Sequence, residues 1–80
     1  MRLDKWLFYA RLYKSRKKSK EACQEGNILV NKLKKENNFN ISKKDLITFI
    51  KNNKIKVIEV VTIPKNRISP KNTGEVYLII

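Results

Sequence analysis

The spacing of apolar residues changes at Gly26, and that change limits what the chain can fold into. Before it, Leu3, Trp6, Leu7 and Ala10 fall at i, i+3, i+4 and i+7, which is one face of a helix. This stripe assigns Trp6 to the core. Asp4 lies in the first turn, where a carboxylate suits the positive end of the helix dipole. Ser15 is a good N-cap, because its hydroxyl can accept from a free backbone N–H, so a second helix runs from there to about Glu25. Ser19, Ala22 and Cys23 form a thin stripe of small residues that permits close packing on the first helix. Gly26 suits the left-handed position that ends many helices.

From Asn27 the period is two. Ile28 and Val30 alternate with Asn27 and Leu29, Asn31-Lys32 makes a turn, and Leu33 starts the return. Phe39 and Ile41 alternate again, Ser42 to Asp45 is a polar turn, and Leu46 to Ile50 is apolar enough for a central strand. KNNK at 51–54 is a hairpin loop, and the run from Ile55 to Ile63 is the longest strand signal. Pro64 stops that strand, and Pro70 keeps the next loop irregular. The end, Val76 to Ile80, is too apolar for a loose tail, so it docks on the domain or adds a strand. The expected class is α+β, with two N-terminal packed helices against a small, mainly antiparallel sheet. Such a sheet is not stable alone and needs the helical pair on one face.

Eighty residues make one small domain, expected to span 1–80. A chain of this length buries only about 60% of its unfolded surface and has a modest core. The single cysteine, Cys23, excludes an internal disulfide, and with no histidine present a zinc site cannot be assembled either. Cys23 reads as a small buried apolar group. A reduced, cytoplasmic protein without a cofactor follows. Without histidine the Ser–His and Cys–His pairs are excluded, and with only Gly26 and Gly74 there is no glycine-rich phosphate loop. The expectation is a protein that is not an enzyme. No stretch approaches the ~20 apolar residues that span a bilayer.

Charge supplies the positive argument. Nineteen Lys and Arg against seven Asp and Glu give a net of +12, and residues 1–35 alone carry +8. Such a field attracts polyanions. Five cations crowd into KSRKKSK at 14–20, where they repel one another and oppose the positive end of the second helix's dipole. The arrangement makes sense where a phosphate backbone neutralises it. Arg16 and Lys20 sit at i and i+4 on one flank, with Lys17 and Lys18 further round. Arg2 and Lys5 on the first helix join them if the helices pack as neighbours. Tyr9 and Tyr13 are either half-buried or stack on an unpaired base or ribose. Lys32, Lys34 and Lys35 extend the positive area. Arg16 is the best single residue, because a guanidinium can clamp phosphate with two prongs.

RLDKWL at 2–7, YKSR at 13–16, KEA at 20–22, Gly26 and VN at 30–31 together resemble the RNA-binding domain named after ribosomal small-subunit protein S-four, also called the alpha-L motif. The opening RLDKWL, with its spacing to YKSR, resembles stand-alone members of that family such as heat-shock protein fifteen and the ribosome-associated quality-control factor P. The motif covers about residues 2–50, and an additional strand and docked tail fill 51–80. The resemblance implies binding to rRNA of the large ribosomal subunit and to peptidyl-tRNA on stalled, dissociated subunits. Other quality-control factors are further partners, and the protein is expected to act as a monomer away from membranes. By matching position, Arg2, Asp4, Lys5, Arg16, Lys20 and Asn31 fall in the motif, and with Tyr9, Tyr13, Ser15, Lys17 and Lys32 they make up the candidate RNA-binding set. Two positions depart from the family: Lys32 and Lys44 stand where it often has glycine. A positive φ at residue 32 would cost lysine roughly 1 kcal/mol; an altered turn or an extra phosphate contact are the alternatives. General DNA binding, binding to an anionic membrane surface and service as the RNA-binding module of an RNA-modification system are the competing functions.

Overall fold

A computed structural model describes residues 1–80. Helix α1 spans Leu3–Tyr9 and helix α2 spans Arg16–Gln24. Strands β1 (Ile28–Val30), β2 (Leu33–Lys34), β3 (Leu46–Lys51), β4 (Lys54–Val60) and β5 (Tyr77–Ile79) form one antiparallel sheet in the order β2-β1-β3-β4-β5. The class is α+β, as the change of period requires.

The helix stripe is buried completely: Leu3, Trp6, Leu7 and Ala10 are each 0% exposed. They pack against Ile28, Val30, Ile47, Phe49, Ile58 and Val60, which point to one face of the sheet. The Trp6 indole N–H donates to the Thr62 carbonyl at 3.1 Å, and Tyr77 meets the Trp6 ring edge-on with centroids 6.5 Å apart. Burying an indole with its N–H satisfied adds apolar area without an unpaired donor. Helix α1 stops where Arg11 takes φ 68. Helix α2 begins as expected, with the Ser15 hydroxyl accepting from the Lys18 N–H at 3.1 Å. Ser19, Ala22 and Cys23 are buried, and Gly26 ends the helical region at φ 79. Burial pushes the Cys23 thiol up to about 11, with the nearby Asp4 charge adding to it, so the sulfur stays protonated and inert at neutral pH.

Both tight hairpin loops have two residues with positive φ at each: Asn31 and Lys32 at 51 and 71, Asn52 and Asn53 at 54 and 61. This is the mirror-image turn whose twist matches paired strands. Lys32 therefore keeps the glycine-like geometry and bears its strain, and so does Lys44 at φ 73.

Three stretches differ from the sequence reading. Strand β4 ends at Val60 rather than Ile63, because its partner β3 starts at Leu46 and the ladder closes with the Val60 N–H on the Asp45 carbonyl. The next two N–H groups, of Val61 and Thr62, both donate to the Val76 carbonyl instead. The loop at Pro70 is ordered as a 3-10 helix over Pro70–Glu75, since proline's fixed φ and missing donor suit a first helical position. Phe39 and Ile41 are extended, but their partner is the N-terminus: the Leu3 N–H donates to the Phe39 carbonyl and the Ile41 N–H to the Met1 carbonyl. The apolar tail adds β5 at the sheet edge, with Leu78, Ile79 and Ile80 exposed.

Candidate RNA interface

Asp4 organises the helical face. Its side chain is buried among the helix ends, only 2% exposed, yet it gathers two arginines from different elements. Arg2 forks onto it, Nε to Oδ1 at 3.1 Å and Nη2 to Oδ2 at 2.9 Å. Arg16, at the first turn of α2, places Nη2 3.6 Å from Oδ1. The Asn37 amide donates to Oδ2 at 3.1 Å. Burial pushes this carboxyl up, and hydrogen bonds from Arg2 and Asn37 together with the Arg2 charge more than offset that, leaving it below the usual carboxylate range. The Ser19 hydroxyl fixes the geometry from behind, 2.8 Å from the Asp4 carbonyl oxygen and 2.9 Å from that of Arg16.

Those two contacts to Asp4 are the chain's ion pairs, so its remaining Lys and Arg side chains have no acidic partner within 4.0 Å. Arg2 and Arg16 keep 46% and 47% of their side chains in solvent. One anion thus holds two guanidiniums side by side with their outer edges free, a geometry that suits phosphate oxygens on a neighbouring chain. Lys17 and Lys20 are exposed on the same helix, and Lys5 is half-buried with its Nζ 5.4 Å from the Tyr9 ring centroid. An open depression of about 420 Å³ beside this face is lined by Lys34, Lys35 and Asn37 among others.

Several candidates have other work. Asp4 is enclosed and offers no surface to a ligand; it positions the arginines. The Ser15 hydroxyl is occupied as the α2 cap. Asn31 is committed at both ends of its amide: it donates to Asp45 Oδ1 at 3.2 Å and accepts from the Leu46 N–H at 3.0 Å, tying the β1–β2 turn to β3. Tyr13 is a correction. It is 8% exposed, its hydroxyl is buried without a partner, and Lys51 Nζ sits 4.9 Å from its ring centroid. Burial pushes that phenol up, with the Cys23 and Glu25 charges adding to it. No base can stack on a ring so enclosed. Tyr9 is half-buried and Lys32 is exposed at its turn.

Fold and face together define a small α+β module that presents a cationic two-helix surface, fixed from beneath, to a polyanion. A family model described as the S4 domain matches residues 1–47, and the chain belongs to that family. RNA is accordingly its class of ligand, on a fold that is typically non-enzymatic. Among solved structures the chain is similar to one described as the trimeric structure of Vibrio cholerae heat shock protein 15. The TM-score is 0.95 at 25% identity, covering 100% of this chain and 81% of that one. Among curated proteins, none matches.

Proposed function

We propose that this chain binds rRNA of the large ribosomal subunit together with peptidyl-tRNA on stalled, dissociated subunits, in ribosome-associated quality control or rescue. It acts in the cytoplasm as one domain over residues 1–80 and holds its ligand without transforming it. The observation that carries the reading is the Arg2–Asp4–Arg16 cluster, two half-exposed guanidiniums beside one buried carboxylate, Arg2 held by a hydrogen-bonded fork and Arg16 by a looser ion pair at 3.6 Å. Pre-set arginines lose little freedom on meeting a phosphate, so recognition rests on the placement of the backbone in a structured RNA. The ribosomal context is what the sequence resemblance to stand-alone S4-type proteins implies, and the likeness to heat shock protein 15 supports that resemblance.

Co-sedimentation with isolated large subunits tests it. Arg16→Ala, and Arg2→Ala combined with Lys5→Ala, are expected to reduce binding about tenfold while the circular dichroism stays native. Unchanged co-sedimentation, or a DNA duplex outcompeting rRNA fragments at moderate salt, would refute the proposal.

A further inference from the structure

The cations do not all belong to the face built on Asp4. Arg16 and Lys18 lie two residues apart on α2, about 200° around its axis. Arg16 faces Asp4, whereas Lys18 turns the other way, into a depression of about 450 Å³ that it lines with Lys14, Lys51 and Asn52. Lys51 also lines two neighbouring depressions. One, of about 200 Å³, is formed with Phe49, Asn52, Lys54 and Lys56. The other, of about 420 Å³, is shared with Arg11, Lys14 and Arg67 and has no acidic residue in its lining.

The β3–β4 register explains how these lysines meet. Lys51 pairs with Lys54 and Phe49 with Lys56, so all three lysines share the sheet face that carries the buried Phe49. Like charges directly opposite one another destabilise a hairpin. Glu21 and Glu25 also line the first depression and lower its positive field, but neither pairs with a lysine, and the other two depressions have no acidic lining. The two arginines nearby are fastened to the backbone: Arg11 Nε donates to the Ile68 carbonyl at 2.8 Å, and Arg67 donates to the Phe8 and Tyr13 carbonyls at 3.1 and 3.3 Å. They brace the α1–α2 linker while the lysines above it stay exposed.

We infer that Lys14, Lys18, Lys51, Lys54 and Lys56 form a second RNA-backbone contact, separate from the Arg2–Asp4–Arg16 face, so that one molecule touches two RNA segments. The inference rests on the RNA-binding reading of the helical face and extends it. Lysine suits this surface, since a point charge on a flexible stem follows a phosphate chain without demanding one geometry. The position of the patch across the linker and the hairpin tip places the second segment on the opposite flank of α2 from the first.

The test is an NMR titration of the nitrogen-labelled full chain with a short RNA hairpin. The expected result has two phases: amides around Arg2 and Arg16 shift up to equimolar RNA, and those of residues 14 and 51–56 shift beyond it. Lys54→Ala with Lys56→Ala is the variant of choice, because Lys51 also donates to the Leu12 carbonyl and supports the fold. It is expected to remove the second phase and keep the first, with the salt dependence of the first unchanged. Arg16→Ala is expected to weaken the first phase alone. Hairpin amides that stay silent at excess RNA, while the helical amides shift, overturn the second surface only. A folded Lys54→Ala/Lys56→Ala protein that loses both phases overturns it too, because the two patches are then one. Silence in both sets overturns the RNA reading itself.

Discussion

Replacing Asp4 by asparagine keeps the shape of the side chain and removes its charge. The wild-type carboxylate accepts two hydrogen bonds from Arg2 at 3.1 and 2.9 Å and one from Asn37 at 3.1 Å, with Arg16 at 3.6 Å. A hydrogen bond to a buried charged group is worth about 1.5–3 kcal/mol. Both arginines are half in water, which screens the pairs and lets them rehydrate when released. The expected net loss is therefore about 2 kcal/mol, and the melting temperature should fall by roughly 10 °C for a domain of this size. The pH dependence has a definite sign. The folded carboxyl titrates below its ordinary value of 3.8, so its contribution is fully present above that value and is lost as pH falls through the folded one. Urea unfolding of both proteins at pH 7 and at about pH 3 measures this. The gap between them should be full at neutral pH and narrower in acid, as the carboxylate begins to protonate. A gap below about 0.5 kcal/mol at pH 7, or one that persists unchanged in acid, refutes the account of Asp4 as the organising anion. The variant gains one unit of net charge, so its attraction to polyphosphate should not fall. Its affinity for structured RNA should, because the guanidiniums are no longer held together.

Lys32→Gly removes a Cβ from a residue at φ 71 and should stabilise the fold by about 1 kcal/mol in thermal unfolding; a loss would show that the lysine side chain contributes more than its backbone costs. Ser15→Ala deletes the α2 cap and should cost about 1 kcal/mol in the same measurement, with the helix content of the folded state little changed.

Periodicity made much of this molecule legible. The i, i+3, i+4, i+7 stripe of α1, the Ser15 cap, the small residues of α2, Gly26 and the Asn31-Lys32 turn are local signals, set by neighbours in sequence, and the structure follows them, while the KNNK loop narrows to Asn52-Asn53 because Lys51 and Lys54 join the strands. The failures lie where an element's partner is distant. Nothing in Phe39 and Ile41 indicates that they pair with Met1 to Leu3, and the end of β4 depends on where β3 begins. The same holds for the candidate residues. Asp4 reads as a helix-start carboxylate, and its role follows from Arg16, twelve positions along the chain, being brought beside it by the α1–α2 packing. Tyr13 gives no local sign that it is enclosed. Lys51, Lys54 and Lys56 escaped notice, although an Asn-Asn turn of two residues fixes their pairing and places them on one face once the alternation of β3 is counted through.

Trp6 has a practical consequence. It is the chain's single tryptophan and is 0% exposed, with Tyr77 against its edge. Its emission comes from a dry interior that no nucleotide can reach, so a red shift signals loss of packing and a constant spectrum certifies an intact fold. Any substitution on either cationic flank can thus be sorted, in one cuvette, into damage to the scaffold or damage to the grip.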